Sequence, residues 1–198
     1  MGTREPLNIG IFLFDGAEEL DWAGPWEVLS AWARRWPDDG VTAFTVAEST
    51  DGPVACAKGL RVLADHAWAD APPIDVLLVP GGDTRAVSAD DRVLARVRDL
   101  ASADKLVTSV CTGAFVLQAA GLLEGRPATT HWGSTDALRS LGVEVRPDDR
   151  FVDAGAVVTA AGVSAGIDMA LHLVARLHSR ERAQEVRRYI QYDPEPPV

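Results

Sequence analysis

The spacing of apolar positions changes repeatedly along this chain, and each change marks an element. Residues 9–13 form a continuous apolar run of strand length. Residues 75–79 are another such strand, apolar after Asp75, and end abruptly at Pro80-Gly81-Gly82. Val41–Ala47 and Leu106–Val110 are two further β-rich runs. Runs that are apolar throughout suit strands covered on both faces, as in parallel sheets. Between them the period lengthens to that of a helix: over 25–36, with Pro25 at a first-turn position, over 91–101, and over 112–120, with Gly121 as its C-cap. Residues 53–63, interrupted by Lys58-Gly59, and 151–160, centred on Ala154-Gly155, read as hairpins. Residues 127–131 are short and extended and 134–140 a short helix. Residues 164–189 read as two helices meeting near Ser179.

Strands that alternate with helices predict an α/β chain, one domain over 1–198, with a mostly parallel sheet and helices on both faces. In such sheets, sites form at the carboxyl ends of strands. Three features fall at those ends here: the loop 15–21, the turn Pro80-Gly81-Gly82, and the turn Val110-Cys111-Thr112.

The third carries the chemistry. Strand, cysteine and helix follow one another around Cys111 with no room for a loop, the arrangement of a nucleophile elbow. Gly113 and Ala114 keep the helix start free of bulk for an approaching substrate, and the helix N-terminus should lower the thiol pKa. Position on the turn favours function over the commoner fate of a lone buried cysteine. Cys56, in an alternating strand, reads as structural. Charge passed to a substrate needs donors, and the backbone N–H groups of Gly82 and Thr112, with the Thr112 hydroxyl, are the candidates. For the acid or base, the loop 15–21 offers Asp15, Glu18, Glu19 and Asp21. Asp21, hemmed by Leu20, Trp22 and Trp26, is the one expected to be partly buried.

Composition narrows the partners. A formal net charge of −10 repels phosphate backbones and anionic membrane surfaces, so neither nucleic acid nor membrane is expected. No apolar run is long enough to span a bilayer, and the polar start of the chain does not resemble a signal peptide. Two cysteines without repeating spacing make no disulfide framework, which fits a reducing, cytoplasmic location. His66, His131, His172 and His178 form no ligand cluster in the sequence, so no metal is expected.

Several short motifs occur in order: Phe14-Asp15-Gly16, Glu19-Leu20-Asp21, Gly24-Pro25, Pro80-Gly81-Gly82, Val110-Cys111-Thr112-Gly113-Ala114, Thr130-His131-Trp132, Gly166-Ile167-Asp168 and a tail over 191–197. Together they resemble the PfpI/ThiJ superfamily, class I glutamine amidotransferase-like, and within it most closely the isocyanide hydratase branch. The resemblance implies a flavodoxin-like three-layer sandwich, a homodimer, no cofactor, and hydration of a small neutral isocyanide to an N-formamide. Carried over, the nucleophile is Cys111 and the acid/base is Asp21, where other branches have glutamate. Protease-like members carry histidine directly after the cysteine, and Thr112 stands there instead, which counts against peptidase activity. Trp22, Trp132 and His131 are candidates for the substrate pocket. Core or subunit packing is the competing role for the tryptophans and a structural hydrogen bond that for His131, while Trp26 reads as core. A glyoxalase or deglycase would use the same thiolate and carboxylate, although Asp21 with Thr112 favours the hydratase. A small-molecule or redox sensor, with Cys111 oxidised rather than catalytic, is the reading from another class. Regulators built on such a sensor add a basic helix-turn-helix module, which these 198 residues lack.

Overall fold

The computed structural model describes residues 6–101 and 105–195. The first residues of the polar start and Pro196 and Pro197 of the tail motif therefore lie outside the described residues. In chain order the elements are β1 (Leu7–Phe12), α1 (Glu19–Arg35), β2 (Val41–Ala47), β3 (Val54–Ala55), β4 (Arg61–Val62), β5 (His66–Ala67) and β6 (Val76–Val79). Then come α2 (Asp91–Leu100), β7 (Leu106–Val110), α3 (Gly113–Ala119), β8 (Pro127–Ala128), α4 (Thr135–Ser140) and β9 (Glu144–Val145). The chain ends in β10 (Phe151–Asp153), β11 (Val157–Ala160), α5 (Ala165–Leu177) and α6 (Arg180–Tyr189).

Seven strands form one sheet in the order β10-β11-β7-β6-β1-β2-β5. All its pairings are parallel except β10 with β11, the second predicted hairpin, which turns at Gly155. Helices α1, α5 and α6 pack together on one face, and α2 and α3 on the other. Burial on both faces explains the unbroken apolar run of β6, and every residue of β7 is buried too, Thr108 and Ser109 included. The first predicted hairpin is the separate β3–β4 pair. The predicted break near Ser179 is real: the Ser179 hydroxyl accepts the N–H of Arg182 and caps α6.

Two local expectations change. Helix α1 starts at Glu19, so Pro25 lies inside it rather than in its first turn. Proline there removes the N–H that would reach the Asp21 carbonyl, and the ring packs against Gly166 of α5. The start is set by tertiary contact: Glu18 N–H donates to the Gly81 carbonyl (2.9 Å), and no side chain caps the turn. The edge strand β5 has only two residues and gave no readable period.

At the amino-terminal edge of the sheet, remote from the strand ends that hold the cysteine turn, the buried Asp39 ties α1 to the last two helices. Its carboxylate accepts from Trp32 Nε1 (2.7 Å) and Arg182 Nε (2.6 Å), and His178 Nε2 lies 3.1 Å away. Burial acts to raise its pKa, but the hydrogen bonds from Arg182 and Trp32 outweigh that and hold it below its ordinary value. Removing one partner of a buried pair strands the other. Asp39→Ala should therefore cost about 3 kcal/mol, or on the order of 6–12 °C in melting temperature. A depressed carboxyl stabilises the fold above its unfolded value, about pH 4, and that stability is lost as pH falls through the folded value. The stability of Asp39→Ala should consequently fall less steeply below pH 4 than that of the parent. Parallel acid curves for the two proteins would remove Asp39 from this role.

Candidate active site

The cysteine turn is held in a conformation that side chains resist. Cys111 has φ 58°, in the left-handed region, where a residue other than glycine is disfavoured. Three contacts impose it. Cys111 N–H donates to the carbonyls of Ala160 (3.1 Å) and Ala161 (2.9 Å), and the Thr130 hydroxyl donates to the Cys111 carbonyl (2.7 Å). Gly113 serves packing rather than substrate access, because a Cβ there would lie 2.3 Å from the Val79 carbonyl oxygen.

The three predicted strand-end features converge. Ala17 and Gly82 form a β-bridge, and Gly81 N–H donates to Asp21 Oδ2 (2.9 Å). Gly82, at φ 113°, must be glycine: a Cβ would sit 2.1 Å from the Gly16 carbonyl oxygen. Gly82 N–H donates to the Thr112 hydroxyl (2.9 Å), which donates back to the Gly82 carbonyl (3.0 Å). These two groups, expected to serve a substrate, thus satisfy each other here, and donation to a substrate would require this pair to open.

Asp21 lies in the first turn of α1, not in the preceding loop, and is completely buried. Its Oδ1 has no hydrogen-bond partner among the described residues, and the carboxylate and the Cys111 thiol lie near enough to act on each other's ionisation. Burial, assisted by the charge of Glu18, pushes Asp21 up to about 7. The Cys111 thiol is pushed up to about 12, first by burial and then by the Asp21 charge, against the opposing N–H groups of Thr112 and Val163. The expected lowering by the helix terminus is therefore overridden. A helix end contributes roughly 0.3–1 kcal/mol, whereas burial shifts a pKa by up to several pH units at about 1.4 kcal/mol each. While Asp21 is a carboxylate, the proton stays on sulfur, and a nucleophilic sulfur needs Asp21 to accept it.

Val163 was not predicted. Its N–H faces the Cys111 sulfur and favours the thiolate, from a backbone at φ 48°, a rare conformation for a β-branched residue. The sequence signal was faint: only the short run Ala161-Gly162-Val163-Ser164 between β11 and α5. His131 approaches from the Thr130 side. Its Nδ1 accepts the N–H of Gly133 (3.2 Å), and its ring packs against Gly162. Trp132 is 80% exposed, with its ring 5.4 Å from that of His131. Both line a surface cavity of about 330 Å³ with Thr130, Arg150, Gly162 and Val163. Trp22 is elsewhere, buried in the core beside Cys56. Cys56 is buried and its thiol raised by burial, as a structural cysteine should be. Trp26 packs at the edge of the core.

The profile of the DJ-1/PfpI family matches residues 8–176. The chain belongs to the DJ-1/PfpI family. Within the family it is similar to an isonitrile hydratase of Pseudomonas putida, with 40% identity over 192 residues, covering 96% of this chain and 81% of the relative. It is also similar to the HTH-type transcriptional regulator GbdR of Pseudomonas aeruginosa, at 28% identity over 96% of this chain but 52% of the regulator. Among solved structures, a ThiJ/PfpI family protein from Pseudomonas syringae matches with a TM-score of 0.87 and 34% identity, covering 99% of this chain and 79% of that one. The flavodoxin-like sandwich read from the sequence is the fold of these DJ-1/PfpI proteins.

Proposed function

We propose that this DJ-1/PfpI protein is an isocyanide hydratase, a cofactor-free lyase that converts a small neutral isocyanide and water into an N-formamide. The observation that carries the reading is the Asp21–Cys111 pair: a buried carboxylate with one oxygen free, coupled to a thiol on a strained elbow. The similarity to the isonitrile hydratase supports it. In the first half-reaction the Cys111 proton passes to Asp21 and the sulfur bonds to the terminal carbon of the isocyanide. Asp21 returns the proton to that carbon, giving a thioimidate. In the second, Asp21 takes a proton from water as the water oxygen bonds to the same carbon. Asp21 passes that proton to the nitrogen; the remaining hydroxyl proton then moves through Asp21 to sulfur as the carbon–sulfur bond breaks, and the formamide leaves with the Cys111 thiol restored. Atoms balance, since the product is the isocyanide plus one water. Thr112 and Val163 N–H groups hold the sulfur as its charge comes and goes. The cavity lined by His131 and Trp132, with Asp148, Asp149 and Arg150 at its polar side, is where the group carried on the substrate nitrogen would extend. A homodimer and a cytoplasmic location accompany this reading. Among the described residues no helix is long and apolar enough to cross a membrane.

The test is formamide formation from an alkyl isocyanide, run beside methylglyoxal consumption. Formamide without methylglyoxal turnover is expected. Methylglyoxal turnover alone would replace the hydratase with a glyoxalase. The match to GbdR favours a sensor as the second reading, and selective oxidation of Cys111 without turnover of either compound would install it.

A further inference from the structure

The acid end of the site is covered by a hairpin to which the proposed reaction assigns nothing. The β3–β4 hairpin is fastened to the segment leading into α1 by a row of hydrogen bonds. Gly16 N–H donates to the Ala55 carbonyl (2.8 Å), Ala57 N–H to the Ala17 carbonyl (2.9 Å), and Ala55 N–H to Asp15 Oδ1 (2.8 Å). Glu19 Oε1 accepts the N–H groups of Lys58 (2.7 Å) and Leu60 (3.4 Å). The hairpin tip is thereby fixed over the first turn of α1, where Asp21 is buried. From that tip the Lys58 ammonium pairs with Glu18 and lies 4.0 Å from Glu19 Oε2. Glu18 stands three residues before Asp21, so the two carboxylates share one side of the turn.

An exposed Lys–Glu pair contributes little to stability, and the side chain of Lys58 is 67% exposed. Its effect on a neighbouring charge is another matter. Asp21 is wholly buried, where fields from nearby charges are weakly screened. The segment Asp15 to Asp21 gathers four carboxylates, and Lys58 is the cation placed among them.

We propose that Lys58 on the hairpin and Glu18 at the start of α1 form a charge pair that sets how readily Asp21 gives up and takes back the proton it exchanges with Cys111. The inference rests on the reading of Asp21 as the proton carrier. The groups acting on Asp21 are the Gly81 N–H, Glu18 at the N-cap of its helix, Lys58 from the hairpin and Cys111 from the elbow. Glu18 opposes ionisation, while Lys58 and the Cys111 thiol favour it. Lys58 and Glu18 are therefore positioning residues of opposite sign, touching no reacting atom. Glu18 makes no capping hydrogen bond through its side chain, so its substitution leaves the helix start intact.

The test measures the rate of Cys111 alkylation by iodoacetamide against pH, which reads the site without requiring hydration. The parent's reactivity should rise through a midpoint near pH 7 as the pair loses its first proton. Lys58→Met should move that midpoint up, and Glu18→Gln should move it down, each by about half a pH unit. Lys58→Arg should restore the parent midpoint, and added salt should shrink the Lys58→Met shift. A merely structural hairpin would move both variants the same way or neither, and either result overturns the proposal. If isocyanide is not turned over but the opposite shifts appear, the charge pair stands and the hydratase reading falls alone.

Discussion

Cys111→Ala is expected to lose turnover by at least about 10⁴-fold, the scale on which removal of a covalent nucleophile acts, while keeping the fold. The elbow supplies the reason to expect both. The backbone of residue 111 is held at φ 58° by the carbonyls of Ala160 and Ala161 and by the Thr130 hydroxyl, none of which touches the side chain. Alanine leaves those bonds in place and deletes only the sulfur. Glycine would suit the left-handed backbone better than either cysteine or alanine, by roughly 1 kcal/mol. Cys111→Gly should therefore be as inactive as Cys111→Ala but melt no lower. A cysteine kept where glycine fits better is there for its sulfur. Turnover rates and thermal melts of the two variants check this. Formamide production surviving in either variant would end the covalent mechanism, and a collapse of Cys111→Ala with Cys111→Gly would show the thiol to be a packing element.

The parts of this molecule that could be read from its sequence are those where one residue's environment is local. Val76–Val79 declares itself because burial on both faces leaves no polar position, and Leu106–Val110 because its apolar residues outnumber the small buried Thr108 and Ser109. The elbow was legible because no loop separates Val110 from the helix. Asp21 stood out through its aromatic neighbours, yet its place on α1 did not. The first turn has no capping side chain, and its anchor is Gly81, about sixty residues along the chain. Val163 acts through a backbone N–H, which every residue but proline carries, so its identity announced nothing. Trp22 and Trp132 look alike in sequence, but one fills the core beside Cys56 and the other lies in the open beside His131. The ionisation of Cys111 departs from the sequence expectation for a related reason. The helix end is visible in the sequence, whereas the burial and the carboxylate that outweigh it are assembled from α1, β6 and β7.

That carboxylate sets up the sharpest separation between stability and activity. Asp21→Asn keeps the shape and the acceptor for Gly81 N–H but can neither store nor release the proton. Turnover should fall about 10²–10⁴-fold, as for loss of a general acid or base. The midpoint of Cys111 alkylation near pH 7 should vanish, leaving a single ionisation below about 12, because the Asp21 charge that helps to raise the thiol is gone. Stability should move the other way. A carboxyl raised from 3.8 to about 7 favours the fold below its unfolded value and loses that advantage as pH rises through 7. Above that range the buried charge costs the parent on the order of 4 kcal/mol, and asparagine avoids it. The variant should thus melt higher than the parent at pH 8, and the difference should close as pH falls to 4. An inactive protein stabilised only on the alkaline side is what a strained, working carboxylate predicts. An Asp21→Asn protein with parental turnover, or one no more stable at pH 8, would mean that the buried charge is not what drives the site.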